Sequence, residues 1–200
     1  MSAKVHIVAD ISANGFGHLA QISPILMALA KVRPGLKVTL RTEVDPVICG
    51  QFLDIPFKVG PTPPDPNMRM KGPLDVDADG LFEDYQNLVA DWENVITSDA
   101  AVLAALKPDL VLTNIAVASV AAALRARIPV AAICSLNWAD VFAAYCGTDG
   151  EARQIYDHLT NAYAAVDRFI QLQPHMPMDW VPSVHSVGPV ARIGKDRRGD

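Results

Sequence analysis

The chain predicts an α/β domain of Rossmann-like type, a mainly parallel sheet with helices on both faces. Three observations point there. Short β-branched runs alternate with longer alanine- and leucine-rich runs, the pattern of successive βαβ units. A glycine-rich turn, Asn14, Gly15, Phe16, Gly17 and His18, lies between the apolar run Val5 to Ala9 and a helix-like segment. The 200 residues are 50% hydrophobic and 20% charged, which suits one globular domain and leaves no room for a second full one.

Taken in order, the strands are expected at about 4–9, 37–42, 56–59, 109–113, 129–134 and 168–172, with a last strand-like segment from Val184 to Val187. Helices are expected at 18–32, 81–106, 115–126, 138–146 and 151–165. The first helix should stop at Pro34 and Gly35, a pair that cannot continue it. The second carries Phe82, Tyr85, Leu88, Val89, Trp92, Ile96, Leu103 and Leu106 at helical spacing, which assigns Trp92 to the core. Between these helices, prolines 61, 63, 64, 66 and 73 keep the segment 61–80 out of a central strand or a helix interior. That segment is either a flexible excursion or a flap whose Met68, Arg69, Met70 and Lys71 touch an apolar, anionic substrate.

Composition excludes several classes. A net charge of -5 gives no footprint for a polyanion, and the longest basic cluster is Lys195, Arg197 and Arg198, so nucleic acid is not an expected partner. Cys49, Cys134 and Cys146 have no zinc-type spacing, and an odd count argues against a disulfide scaffold; a reducing cytoplasm is the simplest compartment. The most apolar stretch, Ile115 to Leu124, is about half of what crosses a bilayer, so no transmembrane segment is expected. His6, His158, His175 and His185 lack ligand spacing, and no metal site is predicted.

The glycine-rich turn belongs at the carboxyl edge of the sheet, where helix N-terminal amides receive anions. Gly15, Gly17 and Ala20 satisfy the G-x-G-x-x-G/A pattern of dinucleotide folds, with Glu43 near the end of the second strand as a ribose-binding acid. Yet five residues, Asp10 to Asn14, separate the strand from Gly15, whereas that fingerprint turns immediately off its strand. This lead-in disfavours a nicotinamide or flavin site. Ser135, Asn137 and Asp140 follow the fifth strand and face the same crevice, either hydrogen-bonding sugar hydroxyls beside Trp138 or capping a helix.

Three segments carry a family resemblance: Asn14 to His18; Lys107, Pro108, Asp109, Leu110, Val111, Leu112; and Cys134, Ser135, Leu136, Asn137, Trp138, Ala139, Asp140. In that order they resemble the N-terminal half of two-domain, nucleotide-sugar-dependent glycosyltransferases of the GT-B class, and among these the glycosyltransferase-like domain of plant arabinokinases. The closing Val187, Gly188, Pro189 is similar to the entry into the interdomain linker, which makes 1–190 the acceptor-side domain and 191–200 the start of a linker or tail. The resemblance implies that His18 is general base on an acceptor hydroxyl, and that Asn14, Gly15, Phe16, Gly17, Ser135, Asn137 and Asp140 bind substrate. It implies a nucleotide-diphospho-sugar as donor substrate, no resident cofactor, and a C-terminal donor-binding domain or subunit as partner. No P-loop pattern accompanies it.

One position departs from the family. Where many members place an aspartate that orients the histidine, this chain has Asn114. Asparagine can bond the ring, yet it lacks the charge that favours imidazolium and can select the wrong tautomer. In a serine protease the corresponding change costs about 10⁴ in turnover. Either Asp10 or Asp140 supplies the charge, or the domain is a non-catalytic binding or regulatory unit, or one subunit of a split transferase.

Overall fold

The computed structural model describes residues 4–192 and Gly199. In chain order its elements are β1 (His6–Ile11), α1 (Gly17–Val32), β2 (Lys37–Arg41), α2 (Pro46–Phe52), β3 (Lys58–Val59), β4 (Met70–Gly72), β5 (Asp75–Val76), α3 (Ala78–Ala90), α4 (Trp92–Leu106), β6 (Leu110–Asn114), α5 (Val117–Arg125), β7 (Val130–Cys134), α6 (Trp138–Cys146), α7 (Gly150–Ala164), β8 (Arg168–Leu172) and β9 (Val184–Val187). The cluster Lys195, Arg197 and Arg198 and most of the expected linker 191–200 lie outside the described residues.

Seven strands form one sheet in the order β3-β2-β1-β6-β7-β8-β9, every pair parallel. The order reverses direction between β1 and β6, so the crevice above their carboxyl ends is the topological switch point where open α/β sheets bind ligands. Strand alternation explains the two layers. Ile7, Ala9 and Ile11 of β1 join Leu112 and Ile133 in a core with Leu19, Ile22 and Leu26 of α1. Val8, Val111, Val130 and Ala132 face the other way, into a core with α3 to α7. Each buried Val, Leu or Ile contributes about 1.5–3 kcal/mol, which is why both faces of these strands read as continuous apolar runs.

Three expectations need correction. The single helix 81–106 is two, α3 and α4, joined at Asp91. Asp91 accepts a hydrogen bond from Asn94 Nδ2 (2.6 Å), a local side-chain bond that competes with regular helix. Trp92, assigned to the core, packs against it but is only half-buried, and lies edge-on to His158, with ring centroids 5.4 Å apart. Helix α2 was not anticipated, although Asp45 and Pro46 announce it: the Asp45 carboxylate accepts from Val47 N–H (2.7 Å) and Pro46 opens the first turn. Asp45→Ala is expected to cost about 1 kcal/mol, read as a lower denaturation midpoint with an unchanged slope.

The proline-rich segment is not a loose excursion; it is tied down at several points. Arg41 Nε donates to Pro61 O (2.8 Å), Met68 N–H donates to Asn14 Oδ1 (2.6 Å), and Asn67 Nδ2 donates to Glu43 Oε2 (2.6 Å). Asp65 Oδ1 accepts from Ala118 N–H (2.8 Å), so this segment caps helix α5, whose own Ala116 offers no side-chain acceptor. The cations expected to meet substrate are engaged: Arg69 forms a two-pronged pair with Asp84 (2.7 Å each), and Lys71 lies 3.2 Å from Asp77.

Candidate active site

His18 sits in the first turn of α1, 7% exposed, directly above the switch point. Its Nδ1 lies 2.6 Å from Asn114 Oδ1 at the end of β6. The register brings them together: Ile11 of β1 pairs with Asn114 of β6, so the loop leaving β1 returns its helix over Asn114. The Trp138 ring of α6 lies 5.9 Å from the imidazole and inclined at 40°, forming an apolar wall.

The tautomer follows from the backbone. Asn114 Nδ2 donates to Ile133 O (2.6 Å), a carbonyl that can only accept, so the amide oxygen is turned toward His18. Facing an acceptor, Nδ1 carries the ring proton. Nε2 then keeps its lone pair for a ligand, which is the base form; the expected danger of a wrong tautomer is removed by the carbonyl of β7. Burial holds the His18 pKa below its ordinary value, only partly offset by the bond to Asn114, so the ring is neutral and basic at pH 7.

Neither carboxylate expected to supply charge reaches the ring. Asp10 is fully buried and paired with Arg41 Nη1 (3.1 Å). Asp140 accepts from Asn137 Nδ2 (2.6 Å) and from Trp180 Nε1 (3.1 and 3.2 Å). Among the described residues no carboxylate is paired with His18.

The other expected site residues divide. Gly15 has φ +69°, a conformation that favours glycine, and a Cβ at Gly15 or Gly17 would meet nothing within 4 Å, so the turn borders open space. Phe16 is 52% exposed and caps α1 without a side-chain bond, leaving first-turn amides for a ligand. Asn14 instead holds the proline-rich segment, and Asn137 is fully buried and caps α6 by accepting from Asp140 N–H (2.8 Å). With Asp140 engaged as well, this pair orders α6 and the Trp180 turn. Ser135 remains half-exposed, accepting from Gln21 Nε2 (2.9 Å). Glu43, the acid a dinucleotide reading needs, is bonded to Asn67.

Two residues at the site escaped the sequence reading. Gln21, three positions after His18 and so on the same face of α1, accepts from Asn114 Nδ2 (3.2 Å). Ser12 Oγ accepts from Trp138 Nε1 and from Ile115 N–H (3.3 Å each). The i, i+3 spacing from His18 was the available signal for Gln21.

A concavity of about 780 Å³ lies between α4, α5 and α7, lined by Trp92, Arg125, Arg153 and His158 and by none of the expected site residues. Its cations are already paired, Arg125 with Glu93 and Arg153 with Asp157. The chemistry therefore points to His18 and the Gly15 to Gly17 turn, which borders open space. Among the described residues no group of three or more His, Cys, Asp or Glu side chains is placed to hold a metal ion, and no helix is long and apolar enough to cross a membrane.

No protein-family model matches the sequence, and no curated protein matches it. Solved structures do. A UDP-glucosyltransferase from Polygonum tinctorium superposes with a TM-score of 0.56 over 100% of this chain and 55% of its own, at 13% identity. The chain has the fold of one half of a GT-B glycosyltransferase. The glycosyltransferase of kitacinnamycin gives a TM-score of 0.56, with 16% identity over 98% of this chain and 54% of the other. CalG4, the calicheamicin glycosyltransferase, gives 0.55, with 16% identity over 94% and 53%. The chain thus spans about half the length of each, and at such identities the likeness is one of fold.

Proposed function

We propose that this chain is the acceptor-side half of a transferase that moves a sugar from a nucleotide-diphospho-sugar to a hydroxyl, with His18 as general base. The observation that carries the reading is the 2.6 Å contact between His18 Nδ1 and the Asn114 Oδ1, an amide turned by its bond to Ile133 O, which assigns the ring proton to Nδ1 and leaves Nε2 as the basic nitrogen at the switch point. In the reaction the acceptor O–H proton goes to Nε2, the oxygen bonds the anomeric carbon, and the carbon–phosphate-oxygen bond breaks to release the nucleoside diphosphate. A base is needed because an alcohol holds its proton far above neutral pH.

In this reading residues 1–190 form the acceptor side, 191–200 begin the linker, and a C-terminal domain or partner subunit holds the donor, which is substrate rather than cofactor. The Gly15 to Gly17 turn and the Ser135 hydroxyl contact the substrates. The three free cysteines suit a reducing cytoplasm. A second reading, a binding or regulatory half without activity of its own, is favoured by one observation, the missing carboxylate at position 114.

Transfer assayed with nucleotide sugars and hydroxyl acceptors, in the protein carrying its donor-holding half, separates the two. The first reading expects product, and its near-complete loss in His18→Ala. Ligand binding without transfer would establish the second.

A further inference from the structure

Three side chains at the site donate in one direction, ending on a fourth. His18 Nδ1–H donates to Asn114 Oδ1 (2.6 Å), Asn114 Nδ2 donates to Gln21 Oε1 (3.2 Å), and Gln21 Nε2 donates to Ser135 Oγ (2.9 Å). The direction is imposed at both amides. Asn114 is fixed by the Ile133 carbonyl, and Gln21 is fixed because its oxygen faces the Asn114 N–H and also accepts from the Cys134 thiol (3.4 Å). With Gln21 donating to its oxygen, Ser135 keeps its own O–H proton to offer elsewhere.

We propose that Gln21 and Ser135, acting through Asn114, form a polarised neutral relay that stands in for the missing carboxylate, with Gln21 as a positioning residue for His18. The proposal rests on the reading of His18 as base and adds how that base accepts a proton without an anionic partner. When Nε2 takes a proton, positive charge develops at Nδ1–H; each amide in an aligned chain polarises the next and strengthens the bond before it. Carboxylates would not fit better here. An aspartate at 114 would set one oxygen against the Ile133 carbonyl, 2.6 Å from the present nitrogen, whereas the amide satisfies it.

Among the described residues the groups around the ring and its Asn114 partner are these. On α1 there is Gln21; on β6, Asn114; on β7, the Cys134 thiol, 3.9 Å from Nδ1; on α6, Trp138. Burial pushes the Cys134 thiol up to about 11, so it remains uncharged at neutral pH. The relay is thus the polar environment of His18 on the protein side.

The test needs no substrate. Long-range ¹H–¹⁵N correlation spectra of the ¹⁵N-histidine-labelled protein report which ring nitrogen carries the proton and the pH at which the ring charges. The expected result is a protonated Nδ1 at pH 8. In Gln21→Met the titration midpoint of His18 should fall by about half a unit, and in Gln21→Glu it should rise by about one unit with the tautomer kept. If Gln21→Met disturbs the amide spectrum, Ser135→Ala shortens the relay at its half-exposed end and is expected to lower the midpoint in the same direction. A proton on Nε2 in the unaltered protein, or a midpoint in both shortened variants equal to that of the unaltered protein, would overturn the relay. Because the readout is spectroscopic, an intact relay in a protein that transfers no sugar refutes the transferase reading alone, and a broken one beside normal transfer refutes the relay alone.

Discussion

Arg41→Met is expected to destabilise the fold by about 3–5 kcal/mol, the largest stability effect we anticipate from a single change. Arg41 is fully buried, and its guanidinium joins four segments: Nη1 donates to Asp10 of β1, Nη2 to Asp99 of α4, and Nε to Pro61 O at the head of the proline-rich segment, while its own backbone lies in β2. Methionine fills much of the volume but leaves Asp10 and Asp99 without a cation. Asp65 adds a third buried carboxylate nearby, and Asp10, Asp65 and Asp99 each keep one oxygen without a partner among the described residues. An uncompensated buried charge is far costlier than a missing ion pair. Denaturant unfolding measures the effect; a loss under 1 kcal/mol would mean that the aspartates are already neutral without Arg41.

The same cluster sets a pH dependence. Burial raises Asp10 to about 6 and Asp65 to about 7, against 3.8 for a free carboxyl, with Arg41 pulling Asp10 back and the α5 amides pulling Asp65 back. The folded state therefore binds more protons than the unfolded state between about pH 4 and 7, and these groups lose stability as pH rises through that window. His18 has the opposite sign. Its lowered folded pKa removes stability as pH falls below about 6.5. From pH 8 to about 7, above most of the imidazole titration, the raised carboxyls dominate, so the unfolding midpoint should rise on acidification there, and Asp65→Asn should flatten the slope.

His18→Ala is expected to lower transfer by about 10²–10⁴, the usual contribution of a positioned general base, with acceptor affinity little changed. The ring makes its protein contact through Nδ1, so alanine removes the base while the Gly15 to Gly17 turn and Ser135 stay in place. Since burial lowers the His18 pKa, the acid limb of the rate profile should fall below about pH 6.5, with activity lost as pH drops through the folded value. Unchanged turnover in His18→Ala would remove the base assignment.

How far the sequence reached is visible in particular residues. The runs at Val5 to Ala9, Leu110 to Leu112 and Val130 to Cys134 announced parallel strands, because a strand buried on both faces must be apolar at successive positions. His18 and Asn114 were legible as partners through the family resemblance, and they meet at 2.6 Å. Asn14, Asn137 and Asp140 each hold another part of the protein, a role the sequence does not separate from ligand contact, since a polar residue after a strand reads the same whether it faces a ligand or caps a neighbour.

By itself the sequence determined the succession of the seven sheet strands and most of their flanking helices, though not α2 or the break between α3 and α4, together with the glycine turn after β1 and the histidine that follows it, all consequences of local periodicity and backbone preference. Only the tertiary structure decided the rest. Arg41 meets Asp99 across 58 positions, Asp65 caps a helix 53 positions away, and the proton on His18 is placed by a β7 carbonyl that has no side-chain signature. Each depends on where buried polar groups find partners, and in a folded chain those partners are set by packing of distant segments.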